Sequence, residues 1–292
     1  MAQSPPSPYI VEPTEPHTYT IILLHGLGSN GEKFGSELLD TAVTSQGPKL
    51  IELLPNARWV FPTSRRRRSS AFRRSVLTQW FNIANLQDPS QRKELQLEGL
   101  AESAQEVLGV LRCELEKVPP QRIILGGLSQ GCAMSAAVLL CLEHPIGGYI
   151  GMCGFFTYQE DLELAVTDEG TDFDDDDPFA RDDDSGADEG KSQDPIVKAQ
   201  AFERDLLGLD AVHPARKDST SHSTPVFLGH GTDDEKVPYS LGLGIAKALR
   251  ACEYQVTWKG YQGQGHWYKI PDEIDDIVNF IRSQVGWEGS RL

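Results

Sequence analysis

Short apolar runs alternate with longer amphipathic segments along this chain of 292 residues. Short apolar runs have the length of buried strands, whereas apolar residues spaced at threes and fours are typical of helices. Strands are predicted at 18–24, 59–61, 122–125, 149–152, 226–229 and 255–258, and helices at 94–117, 130–142, 238–251 and 271–285. Strands separated by helices favour an α/β fold, with a mostly parallel central sheet and helices on both faces.

The net charge of −16 is concentrated in one segment of the chain. Residues 159–190 contain fifteen acidic residues and one basic residue, so the rest of the chain is close to neutral. A nucleic-acid-binding protein would show a basic footprint, and we therefore expect no nucleic-acid partner. The segment 159–193 has too few apolar residues to offset chain entropy, which predicts an acidic disordered insert.

The remaining sequence predicts one domain that spans residues 1–292 and is interrupted by this insert. We expect a flexible N-terminal segment at 1–16, and a helix followed by a linker at 194–224, where apolar residues return at helical spacing. No run of 18 apolar residues and no signal-peptide pattern is present, so a cytoplasmic protein is expected. Five cysteines without a CxxC pair indicate reduced, mostly buried thiols.

Residues 64–75 contain six arginines and no acid. This run is a candidate for transient contact with anionic lipid headgroups at a membrane surface. The alternatives are a nuclear import signal, which would allow nuclear entry, and a site for phosphorylation at its serines.

The sequence Gly127-Leu-Ser-Gln-Gly131 lies between a predicted strand and a predicted helix. This setting is the one that a nucleophile elbow requires, in which a sharp turn presents a serine at the carboxyl edge of the sheet. Glycines on both sides allow the close backbone approach that the turn needs. Ser129 is therefore the candidate nucleophile.

A serine nucleophile needs a base and an acid that orients the base, in the chain order serine, acid, histidine for an α/β-hydrolase. His266 is the one histidine after the late candidate acids. Asp233, Asp234 and Glu235 compete for the role of the acid, and their spacing does not decide between them. The oxyanion hole needs two backbone N–H donors, which we expect from Gln130 and, in the glycine-rich loop after the first strand, from Leu27.

Five motifs in this order resemble the acyl-protein thioesterases of the phospholipase/carboxylesterase branch of the α/β-hydrolases. The motifs are Leu24-His-Gly-Leu-Gly28, Gln79-Trp-Phe81, Gly126-Gly-Leu-Ser-Gln-Gly131, His230-Gly-Thr-Asp-Asp234 with Val237-Pro238, and Gly265-His266. By this resemblance Ser129, Asp234 and His266 form the catalytic triad. It also places Trp80 and Phe81 at the substrate-binding region, whereas Asn82 and Cys132 depart from the family's pattern.

The resemblance implies a serine hydrolase that cleaves acyl thioesters or carboxylic esters through an acyl-enzyme, and it implies no metal and no organic cofactor. Its substrates would be acylated protein cysteines, so that the leading hypothesis is protein depalmitoylation. A carboxylesterase or lysophospholipase acting on lipid or small esters is the first alternative. An inactive hydrolase-fold scaffold that binds partners through its charged loops is an alternative of another class.

Overall fold

The structure of the protein is a computed structural model that describes residues 6–167 and 194–287. The strands are β1 (Tyr9–Val11), β2 (Tyr19–Leu24), β3 (Ala57–Phe61), β4 (Arg66–Arg68), β5 (Val76–Thr78), β6 (Ile123–Leu128), β7 (Gly148–Met152), β8 (Val226–Gly231) and β9 (Val256–Tyr261). The helices are α1 (Gly31–Thr41), α2 (Leu50–Leu53), α3 (Leu97–Leu115), α4 (Gln130–Cys141), α5 (Gln159–Thr167), α6 (Pro195–Leu206), α7 (Tyr239–Ala251) and α8 (Asp272–Ser283).

Seven of these strands form one sheet in the order β1-β3-β2-β6-β7-β8-β9. Every neighbouring pair in the sheet is parallel except β1 with β3, which is antiparallel. β6 lies at the centre, and its carboxyl end meets the carboxyl ends of β2, β7 and β8 at one edge. The predicted α/β architecture, a mostly parallel sheet with helices on both faces and an interruption after β7, is confirmed by this topology.

The alternation of side chains along β2 divides the core into two layers. Ile22 and Leu24 pack on one face of the sheet against α3, α4 and α7, whereas Ile21 and Leu23 pack on the other face against α1 and α8. α3 contributes an apolar stripe of helical spacing, and Pro119 and Pro120 follow soon after its end. α4 is buried at every position, as expected for a helix beneath other helices.

Two segments that were expected to lack regular structure are partly ordered, which corrects those predictions. Within the N-terminal segment 1–16, β1 pairs with β3, and residues 1–5 lie outside the described part. Within the insert 159–193, α5 covers residues 159–167 and buries Leu162 and Val166; residues 168–193 are not described. Both elements are short, and their stability comes from docking on the body rather than from a long periodic pattern.

The segment 194–224 contains α6, which begins at a proline in its first turn and is capped by Asp194, whose carboxylate accepts a hydrogen bond from the amide of Ile196 (3.1 Å). The organisation of residues 1–292 as a single domain stays a prediction. All five cysteines are free thiols, and four of them are buried. No helix in the described ranges combines the length and apolarity that crossing a bilayer requires.

Candidate active site

Ser129 occupies a strained turn between β6 and α4. Its backbone φ of 58° lies in the left-handed region, which a non-glycine residue adopts only where the surrounding structure imposes it. A side chain at Gly131 would place its Cβ 2.1 Å from the carbonyl oxygen of Leu24, so the turn can close only with glycine there. The predicted nucleophile elbow is therefore present, with Ser129 at the carboxyl edge of the sheet.

His266 lies between Ser129 and Asp234 and contacts both. Nε2 of His266 is 2.9 Å from Oγ of Ser129, and Nδ1 is 2.7 Å from Oδ2 of Asp234. An ionised carboxylate only accepts hydrogen bonds, so the imidazole proton is placed on Nδ1 and Nε2 is free to accept from the serine hydroxyl. The three residues that the sequence singled out are thus brought together in the geometry of a nucleophile, a base and an orienting acid.

Asp234 is held in its ionised form by its surroundings. Burial opposes ionisation, but hydrogen bonds from the rings of His230 and His266 and from the amide of Val237 hold the pKa of Asp234 well below its usual range. Oδ1 accepts the amides of Lys236 and Val237, each at 2.9 Å. Nε2 of His230 lies 3.2 Å from Oδ2 of Asp234. The sequence does not predict this contact, because the contact depends on the turn after β8.

The loop after β2 is fixed by a network centred on His25. Nε2 of His25 accepts the amide of Ser64 (3.1 Å), so the proton lies on Nδ1, which donates to the carbonyl of Gly26 (2.8 Å). Burial lowers the pKa of His25 to about 4, consistent with a neutral ring that serves as a structural bridge. Gly26 packs against Ser129, since a Cβ added there would lie 3.4 Å from Cβ of Ser129.

The backbone amide of Leu27 lies in this loop, and that of Gln130 lies in the first turn of α4. Within the described residues, neither amide donates a hydrogen bond to another group. The side chain of Gln130 instead joins two backbone groups, because its Oε1 accepts the amide of Trp80 (2.9 Å) and its Nε2 donates to the carbonyl of Phe81 (2.8 Å). The elbow and the segment 80–81 are therefore braced against each other.

Trp80 and Phe81 lie in the core, and a contact of either residue with substrate stays a prediction. Their residues are 1% and 0% exposed. Nε1 of Trp80 donates to the carbonyl of His25 (2.8 Å), and Phe81 packs edge-on against Phe155. Burial explains why both residues are apolar. Their contacts support a role in holding the loop that carries Leu27.

The arginine run forms an antiparallel hairpin, β4 with β5, beside the site. At its base, the amide of Gly28 donates to the carbonyl of Thr78 (2.8 Å). Asn82, one of the departures from the family pattern, fixes the hairpin by accepting the amide of Ser70 (2.8 Å). The side chains of Arg65 and Arg67 pair with Glu106 and Glu102 of α3, whereas those of Arg68, Arg73 and Arg74 have no ion-pair or hydrogen-bond partner in the described part of the chain.

The thiol of Cys153 lies beside Asp234 and His266 and adds a third group that could bind a metal ion. The thiol of Cys153, a carboxylate oxygen of Asp234 and a ring nitrogen of His266 all lie within 4.8 Å of one another. Sulfur, imidazole nitrogen and carboxylate oxygen are donor types that hold transition-metal ions. This proximity could not be predicted from the sequence, because Cys153, Asp234 and His266 follow three different strands, β7, β8 and β9.

The chain matches known proteins along most of its length. The model of the phospholipase/carboxylesterase family matches residues 5–172 and 206–285. The chain belongs to that family. Acyl-protein thioesterase 1 of Saccharomyces cerevisiae is 25% identical over 274 residues, covering 93% of this chain and 95% of its own. Acyl-protein thioesterase 1 of Gibberella zeae is 27% identical over 283 residues, covering 96% of each chain.

Solved structures extend the likeness to the fold. The crystal structure of Zea mays acyl-protein thioesterase 2 superposes with a TM-score of 0.63 at 24% identity, covering 96% of this chain and 99% of that one. Arabidopsis thaliana SOBER1 gives 0.63 at 18% identity, covering 92% of this chain and 99% of its own. The resemblance found in the motifs is thereby confirmed: the chain is a serine hydrolase-type enzyme of the phospholipase/carboxylesterase family.

Proposed function

We propose that the protein hydrolyses acyl thioesters on protein cysteines, with Ser129, His266 and Asp234 as its catalytic triad. The observation that carries the proposal is the continuous contact from Ser129 Oγ to His266 Nε2 (2.9 Å) and from His266 Nδ1 to Asp234 Oδ2 (2.7 Å). The thioester class is supported by the relatives, several of which are acyl-protein thioesterases.

The reaction has two steps that share one geometry. In the first, Ser129 Oγ attacks the acyl carbonyl as His266 Nε2 takes its proton, and that proton then passes to the departing thiolate as the carbon–sulfur bond breaks. In the second, His266 deprotonates a water that attacks the acyl-enzyme, and the proton returns to Ser129 as the acid is released. Asp234 holds the ring and stabilises its cationic form in both steps.

The amides of Leu27 and Gln130 would form the oxyanion hole of this mechanism. Their support is their position on either side of Ser129 and the lack of an internal acceptor for them among the described residues. The N-terminus of α4 also points at the developing charge, which favours an anion there. Each donor of this kind contributes on the order of 10²–10³ to turnover.

A carboxylesterase or lysophospholipase acting on lipid or small esters is the second candidate, since the same two steps cleave an oxygen ester. The experiment compares a palmitoyl-cysteine peptide, its palmitoyl-serine counterpart and a lysophospholipid as substrates for the wild type and for Ser129→Ala. The thioesterase proposal expects the highest kcat/KM for the cysteine peptide, and loss of all three activities in the variant. A higher kcat/KM for either oxygen ester would favour the second candidate instead.

Two further expectations concern where the enzyme works. Free thiols suit a reducing compartment, which supports a cytoplasmic location, and the arginine hairpin supports nuclear entry or transient contact with anionic membranes. Imaging of a fluorescent fusion tests the first, with a secretory location as the contrary result. Sedimentation with phosphatidylserine vesicles tests the second, and unchanged binding after Arg73→Ala and Arg74→Ala would contradict it.

A further inference from the structure

Cys153 has no part in the mechanism above, yet it lies directly beside the aspartate and the histidine. Its thiol, a carboxylate oxygen of Asp234 and a ring nitrogen of His266 lie within 4.8 Å of one another. In a tetrahedral zinc site the bonds are about 2.0–2.3 Å long, which sets the donor atoms about 3.3–3.8 Å apart. Side-chain movements of about an ångström would therefore close these three donors around one ion.

The backbone holds the thiol in this place. Cys153 has a φ of 47°, and its amide donates to the carbonyl of Gly229 (2.8 Å) in the neighbouring strand. The thiol itself points to the carbonyl of Trp267 (3.5 Å), next to His266. The sulfur is thus fixed between β8 and the histidine loop, so that little ordering would be needed on binding.

The surroundings of the thiol favour a cation. The carboxylate of Asp234, which its hydrogen bonds keep ionised, lies within 4.8 Å of the sulfur. Glu273 is fully buried, and its Oε1 has no hydrogen-bond partner in the described residues. The charge of Asp234 attracts a divalent ion, and a thiol that binds such an ion releases its proton to solvent.

We propose that Cys153, Asp234 and His266 form an inhibitory site for Zn²⁺, with solvent as the fourth ligand. The donor set of sulfur, nitrogen and oxygen is one that Zn²⁺ accepts in proteins. A metal-bound imidazole would be withdrawn from Asp234 and could no longer take the proton of Ser129. Metal binding does not depend on serine chemistry, whereas its inhibitory effect rests on the proposed function.

The activity test titrates Zn²⁺ against hydrolysis of p-nitrophenyl butyrate by the full chain. The expected result is inhibition by one equivalent per chain, reversed by a chelator, and weakened at least about tenfold by Cys153→Ser. Because the backbone at position 153 is left-handed, Cys153→Gly is the second variant, which the turn accepts without strain. Cys113→Ser, which removes the exposed thiol, is the matched control and should leave the inhibition unchanged.

The spectroscopic test uses Co²⁺ as the probe and needs no activity. A thiolate-to-cobalt charge-transfer band is expected in the wild type, in Cys113→Ser and in Ser129→Ala, and it should be absent from both Cys153 variants and weakened in Asp234→Asn. A band that persists in the Cys153 variants, no band in the wild type, or zinc inhibition that is unchanged in those variants overturns the proposal. Retained hydrolysis in Ser129→Ala would instead overturn the proposed function, and the cobalt band would be unaffected by that outcome.

Discussion

Nδ1 of His266 lies 2.7 Å from Oδ2 of Asp234, whereas the adjacent Asp233 accepts a hydrogen bond from the hydroxyl of Thr232 (2.8 Å) and faces solvent. These two carboxylates belong to consecutive residues but have unrelated surroundings. Of the two aspartates, only Asp234 is therefore placed to orient the ring of His266.

This difference predicts the outcome of a matched pair of substitutions. Asp234→Asn should lower kcat by about 10⁴, because an amide no longer stabilises the imidazolium or fixes its tautomer. Asp233→Asn should leave kcat within a few-fold of the wild type. Steady-state kinetics with a short-chain ester check both, and equal losses in the two variants would contradict the assignment.

The glycines of the elbow predict a second matched pair. Gly131→Ala would bring a Cβ to 2.1 Å from the carbonyl oxygen of Leu24, and we expect a loss of about 3 kcal/mol in the free energy of unfolding. Gly109→Ala in α3 meets no atom within 4 Å and should stabilise the protein by about 0.5–1 kcal/mol, since glycine weakens a helix. Denaturant unfolding of both variants measures the contrast, and a stable Gly131→Ala protein would show that the turn is not tight.

The burial of Trp80 predicts an effect that does not depend on the substrate. Trp80→Phe removes the indole N–H that donates to the carbonyl of His25, which should cost roughly 1–3 kcal/mol of stability. Because the loop that carries Leu27 is loosened, kcat/KM should fall by the same factor for short-chain and long-chain substrates. A loss confined to long acyl chains would contradict this role and support the substrate-binding role that the sequence predicts.

Glu203 of α6 predicts a dependence of stability on pH. Burial raises the pKa of Glu203 from 4.5 to about 8, and neither carboxyl oxygen has a hydrogen-bond partner in the described residues. Between these two values the folded protein binds a proton that the unfolded chain has lost, so stability falls as the pH rises through this window and then levels off.

Glu203→Gln replaces the carboxyl group with an amide that does not titrate in this range. Relative to the wild type, the free energy of unfolding of the variant should therefore increase from pH 5 to pH 8, by at most about 1.4 kcal/mol per pH unit, and stay constant above pH 8. Denaturant melts of both proteins across this range give the difference directly. A difference that does not change with pH would show that Glu203 is ionised in the folded state.

The sequence allowed prediction of those features that depend on local pattern. The strand–turn–helix around Ser129 and the position of His266 follow from glycines, apolar runs and chain order, which act over a few residues. The choice between Asp233 and Asp234 needed the family's motif, because both precede the same turn. Spacing along the chain carries no information on which side chain points inward there.

Features that depend on tertiary contact could not be predicted from the sequence. The motif of Trp80 predicts a place near the substrate, but it does not predict that the indole is enclosed by the core and donates to the carbonyl of His25. β1 and α5 are too short to show a period of their own and form by docking on the sheet and on neighbouring helices. Cys153 approaches Asp234 because β7 and β8, the strands that precede these two residues, are adjacent in the sheet.

The reactivity of Ser129 tests the central claim most directly. A fluorophosphonate probe reacts with a serine that an adjacent base has activated, and peptide mass spectrometry identifies the residue that carries the adduct. We predict one adduct per chain, on Ser129, and none in Ser129→Ala or, over the same time, in His266→Ala. An unreactive wild type, or an adduct on any other residue, would contradict the triad.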